Sequence, residues 1–364
     1  MTNTARGLVL RLLRDAGPMP RAELARRTGL SATTMTKVVA QLIADGCLAE
    51  GPTATPRVGR PATDVALLPE AFWVVGAHSG AGGVRLGLRD LLGRSRGGAV
   101  PACGPLAEEI PKLVAASGVD PARVLGVGVT APDGRVAERL AVPLGPGAVT
   151  GHDACAMALA EARYGCRARD LVHVHVDGDV SAGAVLDGRP FRPADLGHLR
   201  VTEDGPRCCC GGTGCLAAVL SEPALSARLP VRAAPGQDVP PVRAAPGQDV
   251  PPVRAAPDQD VPAGRVVPDR DLMAAVAADP VLGAEVAGWL ATALAAAVAL
   301  LRPERITLGG MLARAPEDLL DRVRAALGER TREPVPLGRC GLGPDPGVAG
   351  AAALALDRFF YGQD

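Results

Sequence analysis

Gly197-His198 and then, after nine intervening residues, Cys208-Cys209-Cys210-Gly211-Gly212-Thr213-Gly214-Cys215 form the stretch from which the rest of this chain is read. The spacing His-x9-Cys-x-Cys-x4-Cys supplies one imidazole and three thiols. That is the donor set of a closed, four-coordinate structural zinc site, with His198, Cys208, Cys210 and Cys215 as ligands. Gly211, Gly212 and Gly214 allow the backbone to fold tightly around a small ion. Cys209 lies between two ligands and is expected to point away. A plainer reading of the same residues is a cluster of buried thiols or a reactive pair, and a zinc-dependent redox sensor using Cys209 is a separate alternative. Four of the nine cysteines fall within positions 208–215, and such clustering in a cytosolic protein favours metal over disulfides.

Outside this stretch the chain divides in two. From Ala71 onward strands alternate with helices, the pattern of an α/β protein. Strands are expected at Phe72 to Gly76, Val84 to Leu88, Val124 to Thr130, Leu171 to Val176, Ala182 to Leu186 and Arg305 to Leu308. Helices are expected at Ala154 to Tyr164, within Leu272 to Leu301, at Glu317 to Leu327 and at Gly347 to Phe360. Residues 231–263 do not belong to this pattern. They are near-copies, with a period of 11, of Val-Arg-Ala-Ala-Pro-Gly-Gln-Asp-Val-Pro-Pro, and read as a low-complexity insertion.

Residues 1–70 read as a separate small domain. Leu8, Val9, Leu12 and Leu13 give a first helix an apolar face, and Arg21 to Thr28 form a second helix. After a turn at Gly29-Leu30, Ser31 caps a third helix, Ala32 to Ala44, with Met35, Val38 and Leu42 turned inward. Short strands at Cys47 to Glu50 and Asp64 to Leu68 flank a loop rich in Gly, Pro and Thr. Three helices followed by a β-hairpin describe a winged helix-turn-helix, whose third helix enters the major groove of duplex DNA. Thr33, Thr36, Lys37 and Gln41 then remain to reach bases or phosphates. Arg57 and Arg60, in Arg57-Val58-Gly59-Arg60-Pro61 at the wing tip, are placed to enter the narrow minor groove.

Composition sets the limits. The 364 residues carry 39 basic and 39 acidic side chains, so global charge gives no reason to expect a nucleic acid or an anionic membrane as partner. The local balance differs: residues 1–62 hold nine basic and four acidic side chains, a net of +5. Aromatics at 2% argue against base-stacking platforms. The apolar run Val286 to Leu301 is shorter than the roughly 20 residues a bilayer requires and reads as a buried core helix. No signal peptide is evident at the N-terminus, so a cytoplasmic protein without a membrane partner is expected.

With these motifs in place, the chain resembles the ROK family of repressors and sugar kinases. The family hallmark resembles Leu196-Gly197-His198 with Cys208-x-Cys210-Gly211-x-x-Gly214-Cys215. Gly126-Val127-Gly128 is similar to its glycine-containing core strand, and Asp153-Ala154 with Ala158-Leu159-Ala160-Glu161 to its central helix. Pro303 to Gly310 and Gly347 to Asp357 resemble its second nucleotide-lobe strand and closing helix. The resemblance implies an actin-like (ribonuclease H-like) fold of two α/β lobes around a cleft. It also implies that a chain with an N-terminal winged helix is a transcription factor.

The kinase pattern is broken. Asp-x-Gly-x-Thr of the family reads His78-Ser79-Gly80-Ala81-Gly82, and the second phosphate loop reads Asp177-Gly178-Asp179-Val180-Ser181-Ala182-Gly183. Two carboxylates there would repel a polyphosphate. Sugar binding has eroded as well: the family's asparagine is His152, one glutamate is Asp195 and another is Ala217. His152, Asp153, Asp195 and His198 remain candidates to line a pocket for an effector, a sugar or derivative, or for none. The expectation is a DNA-binding regulator without kinase activity, a homodimer or homotetramer on a duplex operator. A sugar-responsive repressor with a working pocket and an ATP-dependent sugar kinase stand as alternatives.

Overall fold

A computed structural model of the chain describes residues 2–52, 63–80, 82–191, 196–229 and 269–362. It comprises two units, Met1–Arg167 with Gly341–Asp364, and Ala168–Cys340. The insertion at 231–263, Arg57, Arg60 and Asp195 lie outside the described residues.

The first unit begins with helix α1 (Thr2–Ala16), stopped at Gly17, whose positive φ of 78° suits glycine. Strand β1 (Met19–Pro20), helices α2 (Arg21–Thr28) and α3 (Ala32–Ala44), and strands β2 (Leu48–Pro52) and β3 (Thr63–Leu67) follow. The strands form an antiparallel sheet in the order β1-β3-β2. Val9, Leu10, Leu13, Leu24, Met35, Val39, Leu42, Leu48 and Val65 fill the core between helices and sheet. Full burial of a side chain of this size contributes about 1.5–3 kcal/mol. Two expectations shift by one position. Val39 is buried where Val38 was expected and Val38 is half-buried, because 35, 39 and 42 follow one helical stripe. On α1, Leu10 is fully buried while Leu8 and Leu12 are half-buried, because this helix packs against a second partner, the chain's C-terminal end.

The body of the first unit contains β4 (Trp73–Gly80), β5 (Gly83–Asp90), β6 (Ser95–Pro101), α4 (Leu106–Ser117), β7 (Val124–Ala131), α5 (Gly134–Ala141), β8 (Ala148–His152) and α6 (Asp153–Ala160). The sheet order among the described residues is β6-β5-β4-β7-β8, antiparallel up to β4 and parallel from there.

The second unit repeats that plan. It contains β9 (Leu171–Val176), β10 (Val180–Leu186), β11 (Arg189–Phe191), α7 (Leu216–Leu220), α8 (Glu222–Arg228), α9 (Asp269–Ala278), α10 (Pro280–Leu301), β12 (Arg305–Gly310), α11 (Glu317–Gly328) and β13 (Leu337–Arg339). Its order is β11-β10-β9-β12-β13, with the same change from antiparallel to parallel at the central strand. The apolar run read as a core helix is the C-terminal part of α10, which spans 22 residues and is long and apolar enough to cross a membrane by length and composition. Here Leu282, Val286, Trp289, Leu290, Leu294 and others of its side chains are buried in the core of the second unit.

Helix α12 (Pro346–Leu356) returns to the first unit and ends in a π-turn, Asp357–Tyr361. It lies directly on the sheet because Gly76 and Gly128 have no Cβ. A Cβ on Gly76 would run into the Val348 carbonyl, and one on Gly128 into that of Ala351. Its other side meets α6, where Gly350 closes on Ala156 and Met157.

Candidate DNA-binding face and metal centre

The turn before α3 is set by Gly29, in the left-handed region at φ 71°. The Ser31 hydroxyl then caps α3, accepting from the Thr34 N–H at 3.2 Å. Thr33, Thr36, Lys37 and Gln41 all stand exposed on α3. Their availability differs. The Thr36 hydroxyl donates to the Ala32 carbonyl at 2.9 Å, and the Gln41 amide donates to Asp45 Oδ1 at 2.8 Å. Among the described residues no side-chain partner holds Thr33 or Lys37. On α2, Arg26 and Arg27 both donate to Glu23, whose carboxyl these hydrogen bonds hold down at about 2.

The positive balance of residues 1–62 is largely engaged within the protein. Arg6 Nη1 donates to the Phe360 carbonyl at 3.1 Å, and its guanidinium lies 5.3 Å from that ring's centroid. Arg11 Nη1 donates to the Tyr361 carbonyl at 2.7 Å. Arg14 is buried, 3.4 Å from Asp357 Oδ1 and 4.5 Å from the centroid of the Tyr361 ring. Arg21 pairs with Glu50 at 2.6 Å. Three arginines of α1 thus clamp the helix-turn-helix to the π-turn after α12, and Tyr361 anchors that turn by donating its hydroxyl to the Leu91 carbonyl at 2.5 Å. Sequence reasoning missed this clamp. The one available signal was that Arg6, Arg11 and Arg14 recur along a single helix.

In the second unit, His198, Cys208, Cys210 and Cys215 bring one donor atom each to within 4.8 Å of one another. Cys208 Sγ lies 3.2 Å from His198 Nδ1, and Cys210 Sγ lies 3.6 Å from Cys215 Sγ, far beyond a disulfide bond. Glycines shape the loop. Gly211 and Gly214 have φ of 89° and 68°, and a Cβ on Gly212 would sit 3.4 Å from both Cys210 Sγ and Cys215 Sγ. Hydrogen bonds from Cys208 N to Gly212 O (2.8 Å) and from Gly214 N to Pro206 O (3.0 Å) close it. Leu199 and Val201 pack it on the core. Burial pushes the Cys208 thiol up to about 12 and raises Cys215, whereas the Gly212 N–H lowers Cys210. Three thiols and an imidazole converging in this way fit a metal ion. Cys209 is exposed and outside the quartet.

The positions aligned with phosphate-binding loops are filled by protein contacts. His78 Nδ1 lies 3.2 Å from Thr130 Oγ1, and its ring occupies the space that a Cβ on Gly347 would need. Asp177 accepts from the Met311 N–H at 3.1 Å and from His175 Nε2 at 2.8 Å. His152 and Asp153 sit where β8 meets α6. His152 Nδ1 is 3.2 Å from Asp153 Oδ1, and that oxygen accepts the Ala154 N–H at 2.5 Å. These two residues belong to the first unit and His198 to the second.

Comparison with known proteins gives two family matches: the ROK family over residues 132–358 and the MarR family over residues 3–49. The DNA-binding transcriptional repressor Mlc of Escherichia coli K12 is 26% identical over 255 residues, covering 60% of this chain and 63% of Mlc. The chain therefore spans less than two thirds of the length of that curated relative. A crystal structure of a ROK family transcriptional regulator, a homologue of E. coli Mlc, superposes with a TM-score of 0.72 at 21% identity, covering 99% of this chain and 98% of that one. A ROK hexokinase from Thermus thermophilus matches 78% of this chain and 97% of its own at TM-score 0.57 and 24% identity. These likenesses establish the fold as a helix-turn-helix head on an actin-like body.

Proposed function

The chain belongs to the ROK family, and from that premise we propose that it is a DNA-binding transcriptional regulator, a repressor, without kinase activity. The observation that carries this reading is the union in one chain of a MarR-type head and a ROK body, with Lys37 and Thr33 exposed on a capped third helix. The partner is an operator in duplex DNA, contacted by Thr33, Thr36, Lys37 and Gln41 and, from the wing, by Arg57 and Arg60. A homodimer or homotetramer suits a palindromic operator. The cytoplasm is where such a protein meets its operator.

Kinase chemistry needs backbone and side chains free to cradle phosphates and hold a metal. Here His78 is held against Thr130, and both oxygens of Asp177 accept hydrogen bonds from the protein. No turnover is expected with ATP, magnesium and a panel of hexoses and amino sugars. Turnover abolished by Asp153→Asn would overturn this part.

In the cysteine loop the ion would be zinc, bound by His198, Cys208, Cys210 and Cys215. Four protein ligands leave no position for water, so the ion would order the loop and carry no hydrolytic chemistry. His152, Asp153, Asp195 and His198 are proposed as effector-contacting residues, to be tested by a monosaccharide binding scan with the His152→Ala variant as control. Genome-wide mapping of bound DNA tests the regulator reading itself. Discrete sites sharing a palindrome support it, and uniform background rejects it.

A further inference from the structure

A second group of donors lies in the second unit, away from the cysteine loop's ligand set. Strand β9 places His173 and His175 two residues apart, hence on one face of the sheet. Across the parallel pairing with β12, Thr307 stands beside His173 and Gly309 beside His175. Each imidazole has one nitrogen engaged. His173 Nδ1 lies 3.0 Å from Thr307 Oγ1, and His175 Nε2 lies 2.8 Å from Asp177 Oδ2. The other two nitrogens, His173 Nε2 and His175 Nδ1, are buried and have no hydrogen-bond partner. His173 itself is wholly buried, 0% exposed.

Both rings border the space over Gly309. A Cβ on that residue would lie 2.7 Å from His173 Cε1, 2.8 Å from His173 Nε2 and 2.7 Å from His175 Nδ1. Any residue but glycine would fill the gap between the rings. The carboxylate of Asp177 accepts a hydrogen bond from His175 Nε2–H, which leaves a lone pair on Nδ1. A threonine hydroxyl accepting from His173 Nδ1 leaves a lone pair on Nε2 in the same way. Two buried lone pairs beside one space lack a positive or hydrogen-bearing partner, and a buried polar atom without one is destabilising. A histidine whose far nitrogen is held by a carboxylate or hydroxyl, with the near nitrogen presented bare, is the arrangement that orients metal ligands.

We propose that His173 and His175 form a second metal site, binding one divalent transition-metal ion through His173 Nε2 and His175 Nδ1. Two imidazoles suit zinc, cobalt, nickel or copper and do not suit magnesium or calcium. Asp177 orients His175 and is itself half-exposed. With only two protein ligands, the remaining positions belong to water or to a small ligand. This site is independent of the cysteine quartet and of the regulator reading.

Cobalt(II) titration of the full-length, metal-stripped protein tests the proposal, because the two donor sets give different spectra. Cobalt bound by thiolates shows an intense charge-transfer band, whereas cobalt bound by imidazole and water shows only weak ligand-field absorption. The wild type should take up two equivalents, the second without a thiolate band. His175→Gln should lose that second equivalent and keep the thiolate band, which doubles as the control for folding. Asp177→Asn, which keeps both ligands, should weaken the second equivalent by 10–100-fold. Saturation at one equivalent, or a second equivalent untouched by His175→Gln and His173→Gln, overturns the site. Anomalous diffraction from a cobalt-soaked wild-type crystal needs no variant. A peak bonded to His173 Nε2 and His175 Nδ1 supports the proposal, and its absence there refutes it.

Discussion

The helix-turn-helix head and the cysteine loop are both small attachments to a larger body, and they are fixed by opposite means. The head shares a continuous apolar core with α12 and the π-turn, and its three arginines grip the carbonyls, rings and carboxylate of that turn. The loop has little apolar content beyond Leu199 and Val201 and brings four donor atoms together, so the ion proposed there would supply much of its order. Packing is insensitive to chelators, whereas a thiolate site is sensitive to chelators and to acid. The two regions should therefore fail under different insults, and substitutions can separate them.

The largest effect is expected from Gly128→Val. The new side chain would collide with the Ala351 carbonyl, push α12 off the sheet and remove the support of the head. Such overpacking against backbone should exceed about 3 kcal/mol. DNA binding should be lost while metal stays on the cysteine loop, as read by a gel shift and by metal analysis. Cys208→Ser is the converse. It should release the loop's metal and lower the melting temperature of the second unit, and chelator should do the same to the wild type. Loss of DNA binding as severe as that in Gly128→Val would break the contrast. Asp357→Ala sharpens it further. Arg14 would remain buried with only the half-exposed Asp15 as its carboxylate, 2.7 Å away. Breaking a buried pair of this kind costs about 3 kcal/mol or more, roughly 6–12 °C in Tm for a unit of this size, without metal loss. The smallest effect belongs to Cys209→Ser, which lies outside the quartet and should change neither metal content nor Tm by a measurable amount.

Much of this was legible in the residues. The convergence of His198, Cys208, Cys210 and Cys215 followed from spacing, and the order of helices in the head from apolar stripes, a Gly turn and the Ser31 cap. Less legible were elements that break local rules. Helix α4 holds Pro111 in its interior and follows Pro105, so it reads as punctuation. Strand β6, Ser-Arg-Gly-Gly-Ala-Val-Pro, is an exposed edge with no apolar alternation to reveal it. The clamp of Arg6, Arg11 and Arg14 was counted as charge available to DNA because its partners lie some 350 residues away in sequence. For His173 and His175 the sequence carries no signal beyond that of a strand, because their two unpartnered nitrogens come near one another only beside the missing Cβ of Gly309.

The central claim is that the exposed face of α3 reads duplex DNA. The most direct measurement is selection of bound duplexes from a random pool by the full-length protein, run beside the Thr33→Ala, Thr36→Ala, Lys37→Ala triple variant. All three residues are exposed, so the variant should fold normally. The wild type is predicted to enrich an inverted repeat, and Lys37→Ala alone should lower the salt slope of binding to it by about 1. Failure of any sequence to emerge, or enrichment of the same sequence by the triple variant, would contradict the account.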